Sequence, residues 1–454
     1  MTLSRQGAVS ASHQDDLPAS VPGEPAAGVR EALPRLSVFE TGEALPPVHD
    51  ETRVPTSDEM QLITELARGL HLYGAPAHRI EHMIEAVAQR MGYPLYVLCT
   101  PTSVSLAFGP IDRQMLRLIR ISPGSVDLAR LSRLYEFADE IVNREVSAQT
   151  GAERIAAIHN LRDEIPEWAR LACHGISSFA ASIFFQGGVS DVAAATTLGV
   201  VVGGISLLGR RSQKLGTVLD FFSAVVATVL ATLWAAWIAP VAIFETVLSA
   251  LISLLPGFTL TVAMTELATR NLVSGTARFA SAAITFLQLG VGVAIGSQLA
   301  NAIQLSPEYG PPLQPLTALM PLAVLVGGVA IALLYHARLR DLPMIALVST
   351  IGFMGARAGA AALGASVGGF VGALLLGVMG NWYGRRYQQP TLTVTAPALT
   401  LLVPGSVGFR SISALMHNDV VGGVDTLITM LVVAASLVAG LLTANVLVRP
   451  PASE

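Results

Sequence analysis

From Ser57 onward the apolar residues Met60, Leu62, Ile63, Leu66 and Leu70 recur at helical spacing, the stripe that an amphipathic helix buries. Ser57 with Asp58 supplies an N-cap, and Gly74 with Pro76 breaks the helix. Ile80, Met83, Ile84, Val87 and Met91 predict a second helix that ends at Gly92. The run LYVLCTPTSVSLAFG is rich in β-branched and aromatic residues and closes on Gly109-Pro110; with the following RQMLRLIRI it predicts two or three antiparallel strands. After Pro123-Gly124, the amphipathic run VDLARLSRLYEFADEIV and residues 148–165 predict two further helices. Residues 56–165 are therefore expected to form a small α+β domain. Residues 1–55 are rich in Ala, Pro, Ser and Glu without helical or strand periodicity. They are expected to be a disordered tail, because they bury too little apolar surface to offset the entropy of ordering.

Beyond residue 165 the alternation gives way to apolar segments, near 168–186, 192–208, 217–238, 241–258 and 279–303, then near 318–335, 342–358, 363–381, 391–406 and 424–447. A bilayer span takes ~20 residues. The expected fold is a polytopic α-helical membrane protein of about ten transmembrane helices: a first five-helix repeat over 166–303, and a second over 304–454 that includes a short C-terminal tail. Composition agrees, with 52% apolar and 13% charged residues, well under the ~25% charged of a soluble domain. Residues 1–170 hold 39 of the charges, 171–448 hold 19 and the last six hold two. With residue 165 inside, the inner loops collect nine basic residues and the outer side only Arg357 and Arg410. That bias places the front domain and the C-terminus in the cytoplasm. No apolar stretch follows a basic start in the first 50 residues, so no secretory signal is expected.

The net charge of −4 and the single lysine, Lys214, give nucleic acid no electrostatic foothold. Cys99 and Cys173 fall on opposite sides of the soluble/membrane divide, which leaves neither a disulfide framework nor a CxxC metal site. His71, His78 and His82 invite a metal, but the surrounding R-I-E-H is not H-E-x-x-H, and a solvated helix face is expected. Walker A and GxGxxG sequences are missing, and the one GxSxG match, Gly364 to Gly368, falls inside the small-residue run GARAGAAALGASVGG, which reads as helix packing; the chain therefore reads as neither an ATP-driven pump nor an enzyme, and no cofactor is expected.

At an offset of 148 residues the halves resemble each other without a gap. SLLPGFTLTVAMTELATRNLVSG, from Ser253, lies over LLVPGSVGFRSISALMHNDVVGG, from Leu401; Trp234 pairs with Trp382. Five spans per half is an odd number, so the second half enters the bilayer from the opposite side. An inverted repeat follows, the architecture of secondary transporters. Pro256-Gly257 and Pro404-Gly405 free main-chain polar groups that lipid cannot satisfy but a substrate can. A half-helix beginning after either pair points its positive end at an anionic group. The other reading is that each pair simply ends a helix at the interface.

Carboxylates within apolar segments are functional candidates by default. Glu245 and Asp220 lie inside apolar runs, and Asp191 and Glu266 lie near span ends. Glu245 is either a proton carrier or an interfacial cap. For Asp220 a structural role near the basic loop competes with proton coupling. Arg357 and Arg410 either meet a substrate carboxylate or snorkel to head groups, and His174 reads as a packing residue.

The segments GAPAHRIEHMI, FFQGGVSD, LLPGFTLTVAMTEL and LVPGSVGFRSI, in that order behind a front domain, resemble the bacterial threonine/serine exporters (ThrE) from about Ser57 to about Arg449. The resemblance implies an inner-membrane carrier that exports L-threonine and L-serine on the proton gradient. It carries over Gly187, Gly188 and Asp191, then Pro256, Gly257 and Glu266, then Pro404, Gly405, Ser406 and Arg410. Glu266 stands where the family tends to have Asp. Thr259 and Ser406 offer hydroxyls to the substrate, and a homo-oligomer is compatible with the sequence. Two further readings stand beside this one: an exporter of small dicarboxylates such as succinate, and a membrane-anchored enzyme or sensor acting through the front domain.

Overall fold

The computed structural model describes residues 53–451 apart from 122–123, 125, 144–146, 210–215, 217, 304–314, 365, 403–404 and 417; the tail expected at 1–55 lies almost wholly outside them. The front domain begins with α1 (Ser57–Leu72), whose cap is Thr56. The Thr56 hydroxyl accepts from the Glu59 amide while the Glu59 carboxylate accepts from the Thr56 amide. This capping box sits one residue before the expected Ser57-Asp58 cap. There follow α2 (Ala77–Arg90), the strands β1 (Leu95–Thr100), β2 (Ser103–Phe108) and β3 (Met115–Arg120), then α3 (Leu128–Asn143) and α4 (Ala148–His159). The sheet is antiparallel in the order β1-β2-β3, with Leu95 opposite Phe108 and Ser103 opposite Arg120. Leu62, Leu66, Ile80, Ile84, Leu106 and Phe108 are fully buried and form its core.

Two sets of helices follow. The first is α5 (Glu167–Phe184), α6 (Val189–Gly209), α7 (Leu219–Trp237), α8 (Ile243–Ala250), α9 (Gly257–Ala268) and α10 (Leu272–Ala302). The second is α11 (Met320–Leu334), α12 (Leu342–Leu363), α13 (Gly368–Tyr387), α14 (Leu392–Leu401), α15 (Gly405–Met416) and α16 (Val420–Leu447). Among the described residues, seven helical stretches are long and apolar enough to cross a membrane, and α8 with α9, bent by 50° at a short break, makes an eighth. The chain is a multi-pass membrane protein. Exposed Ile284, Val291, Ile295 and Leu299 on α10 are the apolar surface that lipid covers. Ten spans were expected, and length and composition support seven or eight. The two that fall short are α5, which carries Glu167, Arg170, His174 and three serines, and α13, which ends in Asn381, Arg385 and Arg386. Their polar ends dilute the apolar run.

The 148-residue offset has a structural counterpart. α9 and α15 start 148 residues apart, as do α10 and α16. Arg270 and Asn418 both take left-handed backbone, at φ 66° and 63°. Their amides donate to the carbonyls of Leu267 and Leu415, each at 3.1 Å. Gly275 and Gly423 back onto the same two leucines, where an added Cβ would come within 2.8 Å and 2.6 Å of the side chains. Packing repeats as well: α7 lies on α10 as α13 lies on α16, and the sets meet through α5 on α11, α10 on α15 and α9 on α16.

The front domain sits on the second set. The amides of Leu128 and Ala129 donate to the carbonyls of Tyr335 and His336 at 2.9 Å and 3.1 Å. Arg338, almost wholly buried, pairs with Glu136 of α3 at 2.8 Å and with Asp341 at 3.0 Å.

Candidate functional site

Residues 251–256 interrupt what the apolar run alone predicts as one span. Pro256 has no N–H to continue the ladder and sits at φ −79°, ψ 41° as the N-cap of α9, with no side chain capping that helix. The Gly257 amide turns back to the Leu255 carbonyl at 2.8 Å. No side chain caps the amides of Phe258 and Thr259, and these two residues line a space between the two sets.

That space is a cavity of 460 Å³, within the range of small-molecule sites. Asp220, from the first turn of α7, lines it with Pro256, Thr259 and His174; Tyr335 and Thr400 close it from the second set, and Gly124 and Val126 from the front domain. His174 Nδ1 lies 2.9 Å from the Ser253 hydroxyl, and the Tyr335 and Thr400 hydroxyls are 2.9 Å apart. A carboxylate, an imidazole, several hydroxyls and an uncapped helix start therefore converge where the sets meet. The cavity's polar wall includes His174, which the sequence reads as packing. Its partner Ser253 lies 79 residues away, and no local pattern announces it.

Glu245 lines a second cavity of 440 Å³ with Thr228, Thr232, Ser297 and Asn301. Thr228 lies eight residues beyond Asp220 on α7, about 12 Å along the axis, so the two carboxylate cavities occupy different depths of one helix pair. The other two expected carboxylates are engaged elsewhere. Asp191 is buried, and its oxygens accept from the Gly188 amide at 2.9 Å and the Ala242 amide at 2.7 Å, tying the start of α6 to the start of α8. Glu266 is fully buried, pairs with Arg278 at 3.1 Å and accepts from the Ala77 amide at 3.2 Å, which joins α9 to the front domain.

The second Pro-Gly pair is less fully described. Pro404 lies outside the described residues; Gly405 is buried at the start of α15 and Ser406 half-buried beside it. Arg410 is exposed, its guanidinium 5.6 Å from the centre of the Phe185 ring. Gly405, Ser406 and Arg410 are not among the described residues that line the Asp220 cavity.

A third pocket, of 120 Å³, lies where the front domain meets the helices. Pro76, His78 and Arg79 line it together with Thr261, Thr391 and Asn445. Burial and the neighbouring Arg79 charge push His78 down to about 4, which keeps the ring neutral. The three histidines do not share a face: His82 is exposed, whereas His71 is buried with Nε2–H donating to the Thr100 carbonyl at 2.7 Å. Among the described residues no group of three His, Cys, Asp or Glu side chains is placed to hold a metal ion.

The pattern that defines the family described as "Putative threonine/serine exporter" matches residues 61–300, and that of "Threonine/Serine exporter, ThrE" matches residues 321–447. Curated relatives include the pheromone-regulated membrane protein 10 of Kluyveromyces lactis, 24% identical over 86% of this chain and 44% of that protein. The protein of the same name from Yarrowia lipolytica is 25% identical over 79% of this chain and 31% of its own length. The chain thus spans less than half the length of these relatives. No solved structure matches. The two matches together run over the front domain and both helix sets: the chain belongs to the threonine/serine exporter (ThrE) family of membrane transporters.

Proposed function

We propose that the protein exports small hydroxylated amino acids, L-threonine and L-serine, across the inner membrane, driven by the proton-motive force. The observation that carries this reading is the 460 Å³ cavity at the broken helix, shared by both sets. A zwitterion finds complementary groups there. Its carboxylate faces the uncapped amides of α9, where the helix dipole favours negative charge. Its ammonium meets Asp220, and its hydroxyl meets Thr259 or the Tyr335–Thr400 pair. Among the described lining residues none is Lys or Arg, an arrangement that suits a zwitterion better than a dicarboxylate, which needs cationic partners for two charges.

In this reading the two sets are five-span repeats of opposite orientation, ten spans in all. Rocking of one against the other opens the cavity to either face in turn. The front domain and the C-terminus lie in the cytoplasm. Glu245, in the cavity at the other depth of α7 and α10, carries the proton. Purified protein in vesicles preloaded with labelled threonine tests the proposal: efflux should accelerate when a pH gradient is imposed. No efflux above protein-free vesicles, with or without the gradient, would overturn it.

A further inference from the structure

The Glu245 cavity and the pocket at the front domain are the same place in the two helix sets. At the 148-residue offset Phe244, Val293 and Ser297 of the first correspond to Leu392, Leu441 and Asn445 of the second. Their volumes differ, 440 Å³ against 120 Å³. Pro76, His78 and Arg79 of the front domain wall the smaller one, while no front-domain residue is among the described residues lining the larger.

The front domain is fastened here through two residues of this corner and one of α3. The Arg79 guanidinium donates to the Thr391 hydroxyl at 3.2 Å, just before α14. The Ser132 hydroxyl of α3 lies 3.1 Å from that of Thr393, the residue that stands in α14 where Glu245 stands in α8. The Ala77 amide donates to buried Glu266 of α9. Phe258 of α9 lines both this pocket and the Asp220 cavity, so α9 is the wall between them. One corner of the front domain thereby walls a vestibule and is bonded to the partition that separates it from the central cavity.

We infer that the front domain is a gate. Its Pro76–Arg79 corner stops the vestibule of the second helix set, and withdrawal of that corner from α14 and α9 opens the vestibule toward the Asp220 cavity. The inference deepens the transport reading and rests on it for the purpose of the gate, though the gate's motion is measurable without any substrate.

Two measurements on the full-length protein in vesicles decide it. In the first, Asn445→Cys reports access to the vestibule through its rate of reaction with a water-soluble maleimide. Adding Arg79→Ala should raise that rate about tenfold, the effect of losing one charged hydrogen bond; an unchanged rate overturns the gate whatever the substrate proves to be. In the second, Ser132→Cys with Thr393→Cys places two short side chains within disulfide reach. Oxidation should reduce threonine efflux about tenfold or more by the same measure of a locked contact, and reduction should restore it. Undiminished efflux from fully oxidised protein overturns the inference.

Discussion

The Glu266 carboxylate accepts a hydrogen bond from the backbone amide of Ala77, 189 residues earlier in the chain, so the first turn of α2 is pinned to α9. The same carboxylate neutralises Arg278, whose side chain is one-fifth exposed against none for Glu266. Glu266→Ala leaves the guanidinium unpartnered and should cost about 3 kcal/mol, the lower end for a broken buried pair. Glu266→Gln keeps an acceptor for Ala77 and should cost less. Denaturant titration in detergent measures both; equal, negligible losses would show that the pair does not hold the domains together.

Asp191 joins two elements that are 51 residues apart. Asp191→Ala leaves the buried Gly188 amide and the half-buried Ala242 amide without this acceptor, and should cost about 2 kcal/mol. Asp191→Asn retains one acceptor oxygen and should fall between. Thermal unfolding of the three proteins orders them, and an Ala variant as stable as the parent contradicts the assignment.

The two cavity carboxylates should separate by phenotype. Asp220→Asn removes the charge offered to the substrate ammonium and should raise the threonine concentration for half-maximal efflux about tenfold. Glu245→Gln removes a proton carrier, so its efflux should become insensitive to the pH gradient while continuing downhill. Vesicle assays with both variants check this; a Glu245→Gln protein that still responds to the gradient excludes Glu245 from coupling.

Much of the fold is legible along the chain because front-domain cores and lipid-facing helices both obey short periodicities: Leu62, Leu66 and Leu70 announce α1, and Pro256-Gly257 announces the break before α9. The roles of the four carboxylates are not legible in the same way. Asp191 and Glu266 resemble Asp220 and Glu245 in local sequence, each an acid in an apolar neighbourhood. What distinguishes them is a distant partner, the Ala242 amide in one case and Ala77 with Arg278 in the other. The shortfall of α5 and α13 as spans has a similar origin. Polar residues in both find distant partners, Asp163 for Arg170 at 2.8 Å and Asn445 for Asn381 at 2.9 Å.

Acid should loosen the front domain in two stages. Burial holds His78 at about 4 in the fold against 6.5 unfolded, and burial also lowers His71 and His159. A group whose folded value is depressed contributes fully above its unfolded value, so this stability is lost as pH falls from 6.5 toward 4. Burial alone would push Glu136 up, but hydrogen bonds from Arg338 and Gln389 hold it below its ordinary 4.5. Its contribution is present above 4.5 and disappears as pH drops further. The unfolding temperature should therefore decline between pH 7 and 5, and His78→Gln should flatten that decline; a parent protein indifferent to pH across this window contradicts the first stage.

The most direct test of the account concerns the orientation of the two helix sets. Val273 and Val421 are equivalent at the 148-residue offset, begin α10 and α16, and are 67% and 83% exposed. Each is replaced singly by cysteine and labelled in sealed vesicles with a membrane-impermeant thiol reagent added from one side. Labelling of Val273→Cys and Val421→Cys from opposite faces is the expected result; labelling of both from the same face would contradict opposed repeats and the alternating cavity built on them.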